Sequence, residues 1–579
     1  MRLPTRLRSV LILATFFLAL AAELPAQAPL EPAQLPAGTV FYFLWHGTPT
    51  GDVRKTNALL SLWDDSDFAP VRAALVNMML SDAKSKSDKA GPTREELMEY
   101  ASLLDNPFTI GYLPLRDLPA SASAPAPAAM KRPDRNGMFL VYDRSGKEEL
   151  LSKAILRARA GGTEIPKLTE VTVAGVKALK IERKSSTTYW AETGKYAVSA
   201  SDPLVFEDVL TRLRGKVTGP TLAASESYRE AKSLLSGGVV EFFLSVPQLK
   251  AMTSNSEPES PQVKAFWSTF RLDSMHVFAG HISLEGARTR LQGGVLGDTA
   301  EGSLFDIWAE GQSQPDSLAL LTPDTVYYNE SQLSLLGIYN TLKRAFSQPG
   351  SKTAPLALTL ESAAETRLGM PLPDALALTS GEFGSLQTST SLDPNKKVVF
   401  AGIRNKPEAL KLMRTIFGDQ LTSEHNEGNI TYMKISLKGS QGSKGVAQWN
   451  FYHLAMTPNL LLGANRSDTL RTTVVQASAG ANSLPQTLQA ARGQFPRKLN
   501  GFSYFDLQKL DWPALKDQWV ADAVKTAAES KSADAGQKSR QLNDWIQSVN
   551  PAVFPRHLHS MTGASWKDAT GVHFDEWLD

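Results

Sequence analysis

The feature that most constrains this chain is that it resembles itself. Leu35-Pro36-Ala37-Gly38-Thr39-Val40-Phe41-Tyr42 matches Leu321-Thr322-Pro323-Asp324-Thr325-Val326-Tyr327-Tyr328. Four further pairs follow in the same order: Phe139-Leu140-Val141 with Val398-Val399-Phe400, Ser201-Asp202-Pro203-Leu204 with Ser467-Asp468-Thr469-Leu470, Phe243-Leu244 with Tyr504-Phe505, and Ser274-Met275 with Ser560-Met561. The offsets fall between 259 and 286 residues. Five weak matches in one order and one narrow band of offsets point to an internal duplication. The expected organisation is a first module over residues 35–311 and a second over 317–579, preceded by a signal peptide at 1–22 and a linker at 23–34. Polar inserts at Asp82–Pro92 and Pro119–Pro133, and a helical insert near Ala521–Gln541, account for the drift in offset.

The pattern within a module is α+β. Val40–Trp45 is a continuous apolar run, as for a strand buried on both faces. Ala174-Gly175 and Thr193-Gly194 sit between β-rich segments and read as hairpin turns. Asp202-Pro203 reads as a helix start, with Leu204, Phe206, Val209, Leu210 and Leu213 on one face. Asp67 is expected to cap a second helix. Hairpins alternating with single helices predict two tandem copies of a mostly antiparallel sheet with helices packed on one face.

Arg2, Arg6 and Arg8 precede the apolar run Ser9–Ala22, which is shorter than the roughly 20 residues a bilayer needs and suits a signal peptide. The expectation is export to the periplasm or beyond, with no membrane span after cleavage. The 579 residues contain no cysteine, so disulfides, thiolate metal sites and thiol nucleophiles are excluded. With 61 basic and 59 acidic residues and no basic run, nucleic acid is not an expected partner.

Familiar catalytic patterns fail one after another. Gly439–Gly445 contains Lys444, but Gly445 follows the lysine and a strand follows the loop, unlike a phosphate-binding loop. Ser81-Asp82-Ala83-Lys84 has S-x-x-K spacing without the lysine-threonine-glycine strand that accompanies it in β-lactamase-like enzymes. His557 and His559 would share a face if they lay in a strand, yet a zinc site needs a third ligand. The Asp64-Asp65-Ser66-Asp67 cluster reads as helix capping. No cofactor is expected. Trp267, Trp512, Trp519 and Trp545 fall near the helix of each module's second half and are the candidates for a ligand or partner groove.

The opening Leu35-Pro36-Ala37-Gly38-Thr39 and its counterpart Leu321-Thr322-Pro323-Asp324-Thr325 resemble those of a family of exported bacterial proteins without assigned function, in which such a start leads into an apolar strand in tandem copies. The resemblance implies an envelope location and duplicated α+β modules, and it carries no catalytic residues. The leading expectation is a non-catalytic binding or structural protein of the cell envelope whose partner is an unidentified envelope protein. The alternatives are an exported hydrolase with an unfamiliar site, for which Ser81, His557 and His559 are the candidates, and a carrier of a small apolar ligand. A buried cluster of ionisable residues in one module's cleft would count against the leading expectation.

Overall fold

The structure is a computed structural model. It describes residues 29–49, 51–73, 99, 102–113, 137–160, 166–184, 186–217, 219–235, 237–254, 267, 271–346, 354–436, 453–478, 485–529, 543 and 546–579. Residues 1–22, read above as a signal peptide, together with Ser81, Trp545, the Gly439–Gly445 loop and the inserts at Asp82–Pro92 and Pro119–Pro133, lie outside the described residues.

Twenty strands form one antiparallel sheet. The first ten are β1 (Phe41–Trp45), β2 (Phe108–Tyr112), β3 (Met138–Asp143), β4 (Lys167–Val173), β5 (Val176–Glu182), β6 (Thr187–Thr193), β7 (Tyr196–Ala200), β8 (Val240–Ser245), β9 (Met275–Glu285) and β10 (Arg288–Gly297). The second ten are β11 (Tyr327–Gln332), β12 (Thr379–Gln387), β13 (Lys397–Ile403), β14 (Leu421–Glu427), β15 (Ile430–Ile435), β16 (His453–Met456), β17 (Leu460–Ala464), β18 (Gly501–Asp506), β19 (Ser560–Asp568) and β20 (Gly571–Leu578). The first half pairs in the order β4-β5-β6-β7-β3-β2-β1-β8-β9-β10. The second pairs in the order β14-β15-β16-β17-β13-β12-β11-β18-β19-β20. β10 and β20 then pair antiparallel, from Thr289 opposite Leu578 to Leu296 opposite Gly571, and join the halves.

Local sequence explains the hairpins. Ala174 and Gly175 both have positive φ, 50° and 73°, the geometry of a two-residue hairpin turn between β4 and β5. Gly194, at φ 56°, turns β6 into β7. Asp202 caps helix α2 (Pro203–Leu213; α1 is Ala58–Asp64) by accepting the Leu204 N–H at 2.9 Å, with Pro203 in the first turn.

Helices pack on both faces of the sheet, not on one as the sequence pattern suggests. Tyr42 and Leu44 of β1 pack in a core with Val205, Phe206, Val209 and Leu210 of α2. The alternate residues Phe43 and Trp45 pack in a different core with Leu59, Leu60 and Leu62 of α1. Alternation along a strand sends these two sets to opposite faces. The physical reason is the continuous apolar run of β1, which leaves two faces to cover.

The α1-side core crosses the midline of the molecule. It combines Trp45, Leu60, Phe68 and Val240 of the first half with Val326, Phe505, Leu515 and Val553 of the second. On the opposite face the second half has its own core, where Leu470 and Val474 of α3 (Ser467–Ser478) and Leu488 of α4 (Gln486–Arg492) cover Tyr328, Phe400 and Leu462. The folded first half begins before Leu35: Leu30 is fully buried, and the Gln34 carbonyl accepts from Arg212 Nη1 at 2.7 Å. Among the described residues, no helix is long and apolar enough to cross a membrane.

Candidate functional site

The two halves meet on the α1 face, where chemistry-bearing side chains distant in sequence converge. Asn57 caps α1, accepting the Leu60 N–H at 3.2 Å, while its amide donates to the Arg288 carbonyl of β10 at 2.9 Å. This fixes α1 over the end of the sheet. Facing it is α6 (Val553–His557; α5 is Trp512–Glu529). Phe68 meets Phe554 edge-on at 6.2 Å, and Phe554 stacks on Trp512 at 4.5 Å.

His557 ends α6 and bridges the halves. Its Nδ1 is 2.9 Å from Ser61 Oγ on α1, and its Nε2 is 2.9 Å from Asp65 Oδ2. Asp65 also accepts the Asp67 N–H at 2.8 Å. The hydrogen bond from His557 is the main influence holding the Asp65 carboxyl below the ordinary carboxylate range, against the opposing effect of burial. With the ring proton on Nε2 facing the Asp65 carboxylate, Nδ1 would present its lone pair to Ser61. Beside it, Arg556 Nη2 and Asn550 Nδ2 donate to Asp67 Oδ2 at 2.5 Å and 3.0 Å.

Two sequence expectations are corrected here. His557 and His559 do not share a strand: His557 closes a helix, and His559 is an exposed residue before β19. The argument that both point to one face therefore lapses. The cap near Asp67 is supplied by Asp65, while the Asp67 carboxylate turns to the second half. Among the described residues, no group of three or more His, Asp or Glu side chains is placed to hold a metal ion.

The tryptophans are distributed through the packing. Trp512 is 9% exposed, its indole N–H donates to the Leu507 carbonyl at 3.1 Å, and Trp519 packs at the edge of the same shared core. Trp267 is buried in the first half. The structure brings Trp512 and Trp519 together in one core cluster.

Each half also buries carboxyl groups that sequence reasoning did not single out. In the second half Tyr328 donates to Glu330 Oε2 at 2.6 Å, and Arg492 of α4 donates to Glu330 Oε1 at 2.6 Å. Glu382 accepts the backbone N–H groups of Asp316 and Ser317 at 3.1 Å and 2.9 Å. Burial pushes both carboxyls up, and for Glu330 it outweighs the Arg492 guanidinium. In the first half Glu241 stands across from Leu44, and burial, followed by the charge of Glu31, raises it to about 8. Tyr42, Tyr228 and His46 adjoin it, with His46 Nε2 at 4.0 Å. One signal was available: aligning the two similar openings sets Glu330 against Leu44, a charge against an apolar residue.

A cavity of about 440 Å³ lies along the segment between the halves, lined by Ala309–Gln314, Ser380, Arg404 and Lys498. Its lining is polar and charged. Comparison with protein-family models, with curated proteins and with solved structures finds no match for this chain.

Proposed function

We propose that this is a binding or structural protein of the bacterial cell envelope, exported and built from two tandem copies of one α+β module. One observation carries the reading: the halves repeat a single pairing order and then merge through β10–β20 and a common core. At the openings the matched segments share a register: Phe41 pairs with Leu244 as Tyr327 pairs with Phe505. Fusion of two modules through a sheet and a core produces a stiff surface without a hinge between them, which suits a platform that holds a partner. The basic and apolar start of the chain supports export.

Glu330 and Glu382 do not weigh against this reading, whereas Glu241, with 13% of its side chain exposed and its carboxyl raised to about 8, does. Glu330 and Glu382 are 2% and 0% exposed, sealed within packing and not set in a cleft. The polar lining of the cavity beside the connecting segment fits an apolar carrier poorly. The test is native mass spectrometry of the mature protein, purified gently from its own envelope. A stoichiometric protein subunit is the expected result. A bare monomer would sink the platform reading, and a mass excess of several hundred daltons without protein would move the role to small-ligand carriage.

A further inference from the structure

We propose that Ser61 is an activated nucleophile, with His557 as its base and Asp65 orienting the imidazole, and that the chemistry it supports is acyl transfer from a small ester to water. This goes beyond the platform role and does not depend on it. Ser61 Oγ, the imidazole and the Asp65 carboxylate form an unbroken hydrogen-bonded line, with both links at 2.9 Å. A serine–histidine–carboxylate set is recognised by geometry and roles, not by chain order. Here the serine faces Nδ1 and the carboxylate faces Nε2. Either ring nitrogen can act as base once the other is fixed as the donor.

The surroundings support reactivity. Ser61 and His557 are part-buried and not sealed, with 18% of the His557 side chain exposed. Asp65 is held in place from three sides: by His557, by the Asp67 N–H at 2.8 Å, and by Arg556 at 3.5 Å. Trp63 and Phe554 are partly exposed at the same junction, packed on the buried Phe68 with Trp63 and Phe68 ring centroids 6.1 Å apart, and offer apolar surface for an acyl or aryl group. The line forms only when the two halves are joined, because Ser61 and Asp65 come from one and His557 from the other.

The reaction balances without a further reagent. As Ser61 Oγ bonds to the ester carbon, its proton passes to His557 Nδ1 and the carbonyl π electrons move to oxygen. When the carbonyl re-forms, the ester C–O bond breaks and the leaving alkoxide takes the proton from Nδ1. Water repeats the sequence on acyl-Ser61, releasing the acid and restoring the hydroxyl. The helix imposes a limit: the Ser61 N–H is bonded to the Asn57 carbonyl at 2.9 Å and the Asp65 N–H to the Ser61 carbonyl at 3.1 Å. These amides are not available to an oxyanion, so slow turnover of activated esters is the fitting class. The Ser61 hydroxyl can also turn to the Ala58 carbonyl at 3.1 Å, which competes with the reactive orientation.

The same bonds latch α1 to α6, so the test must separate chemistry from structure. The full chain is treated with a fluorophosphonate probe, the modified residue is mapped by peptide mass spectrometry, and folding is checked by circular dichroism. The expected result is labelling at Ser61 that vanishes in Ser61→Ala and slows at least about 100-fold in folded His557→Gln. A wild-type chain unlabelled at Ser61, or an undiminished rate in folded His557→Gln, overturns the proposal and leaves a latch only. Should His557→Gln fail to fold, the mapping of wild type against Ser61→Ala decides alone.

Discussion

Glu241 carries a proton where most glutamates do not. It lies on β8 with 13% of its side chain exposed, beside Tyr42, Tyr228, Glu31 and His46 and across from His281 on β9. The buried Glu330 of the second half has a guanidinium, Arg492, to hold it; Glu241 has the neighbouring charge of Glu31 instead, and burial raises it to about 8. An unfolded glutamate titrates near ~4.3. Between that value and about 8 the folded chain keeps a proton that the unfolded chain has lost, so rising pH favours unfolding. Above about 8 both forms are ionised and this slope ends. Glu241→Gln should therefore remove a loss of stability that the natural chain suffers between pH ~4.3 and about 8, read as the change in urea midpoint. Equal midpoint shifts in the two proteins would refute it. The residue scale is also where sequence was least informative. Ser61 and His557 lie 496 positions apart, and nothing local to either marks the other.

At the level of elements, a buried charged group reinforces the join between β10 and β20. Asp575 accepts two hydrogen bonds from Arg290, at 2.9 Å and 2.6 Å, and one from Gln292 at 2.9 Å, with only 5% of its side chain exposed. Arg290→Ala would strand a buried carboxylate, a loss on the order of 3–5 kcal/mol in urea unfolding. A loss below ~1 kcal/mol would show that solvent reaches Asp575 freely. Elements with strong local chemistry were legible: the two glycine hairpins, the Asp202-Pro203 helix start and the apolar β1 run all stand where the residues place them. What pattern could not supply was the second layer of helices. Whether an apolar strand is covered once or twice depends on segments far away, and α1 is tied to the sheet through Asn57, whose partner Arg288 is in β10. The outermost strands, β4 and β14, are the most exposed and carry charged residues such as Lys167, Glu170, Glu424 and Glu427, which discourages pairing with another chain.

For the whole molecule, a sheet continuous across both halves and a core drawn from each make independent unfolding costly. Heating should give a single calorimetric transition whose van't Hoff and calorimetric enthalpies agree. Two resolved transitions would mean that the shared core contributes little. The α+β character was legible at this scale because hairpin signals alternate with solitary helix signals along the chain. The continuity of the sheet was not, since the edges that join, β10 and β20, give no sequence sign of which partner they seek. Their pairing also sets a clock. β10 ends at Gly297, but the strand that covers it starts at Gly571. At about 5–20 residues per second, on the order of 15–60 s of synthesis separates the two. Throughout that interval the first half has an open edge. Arg288 and Arg290 sit on that edge, and in the unfinished chain they would act as guards against mispairing before they become partners of Asp579 and Asp575.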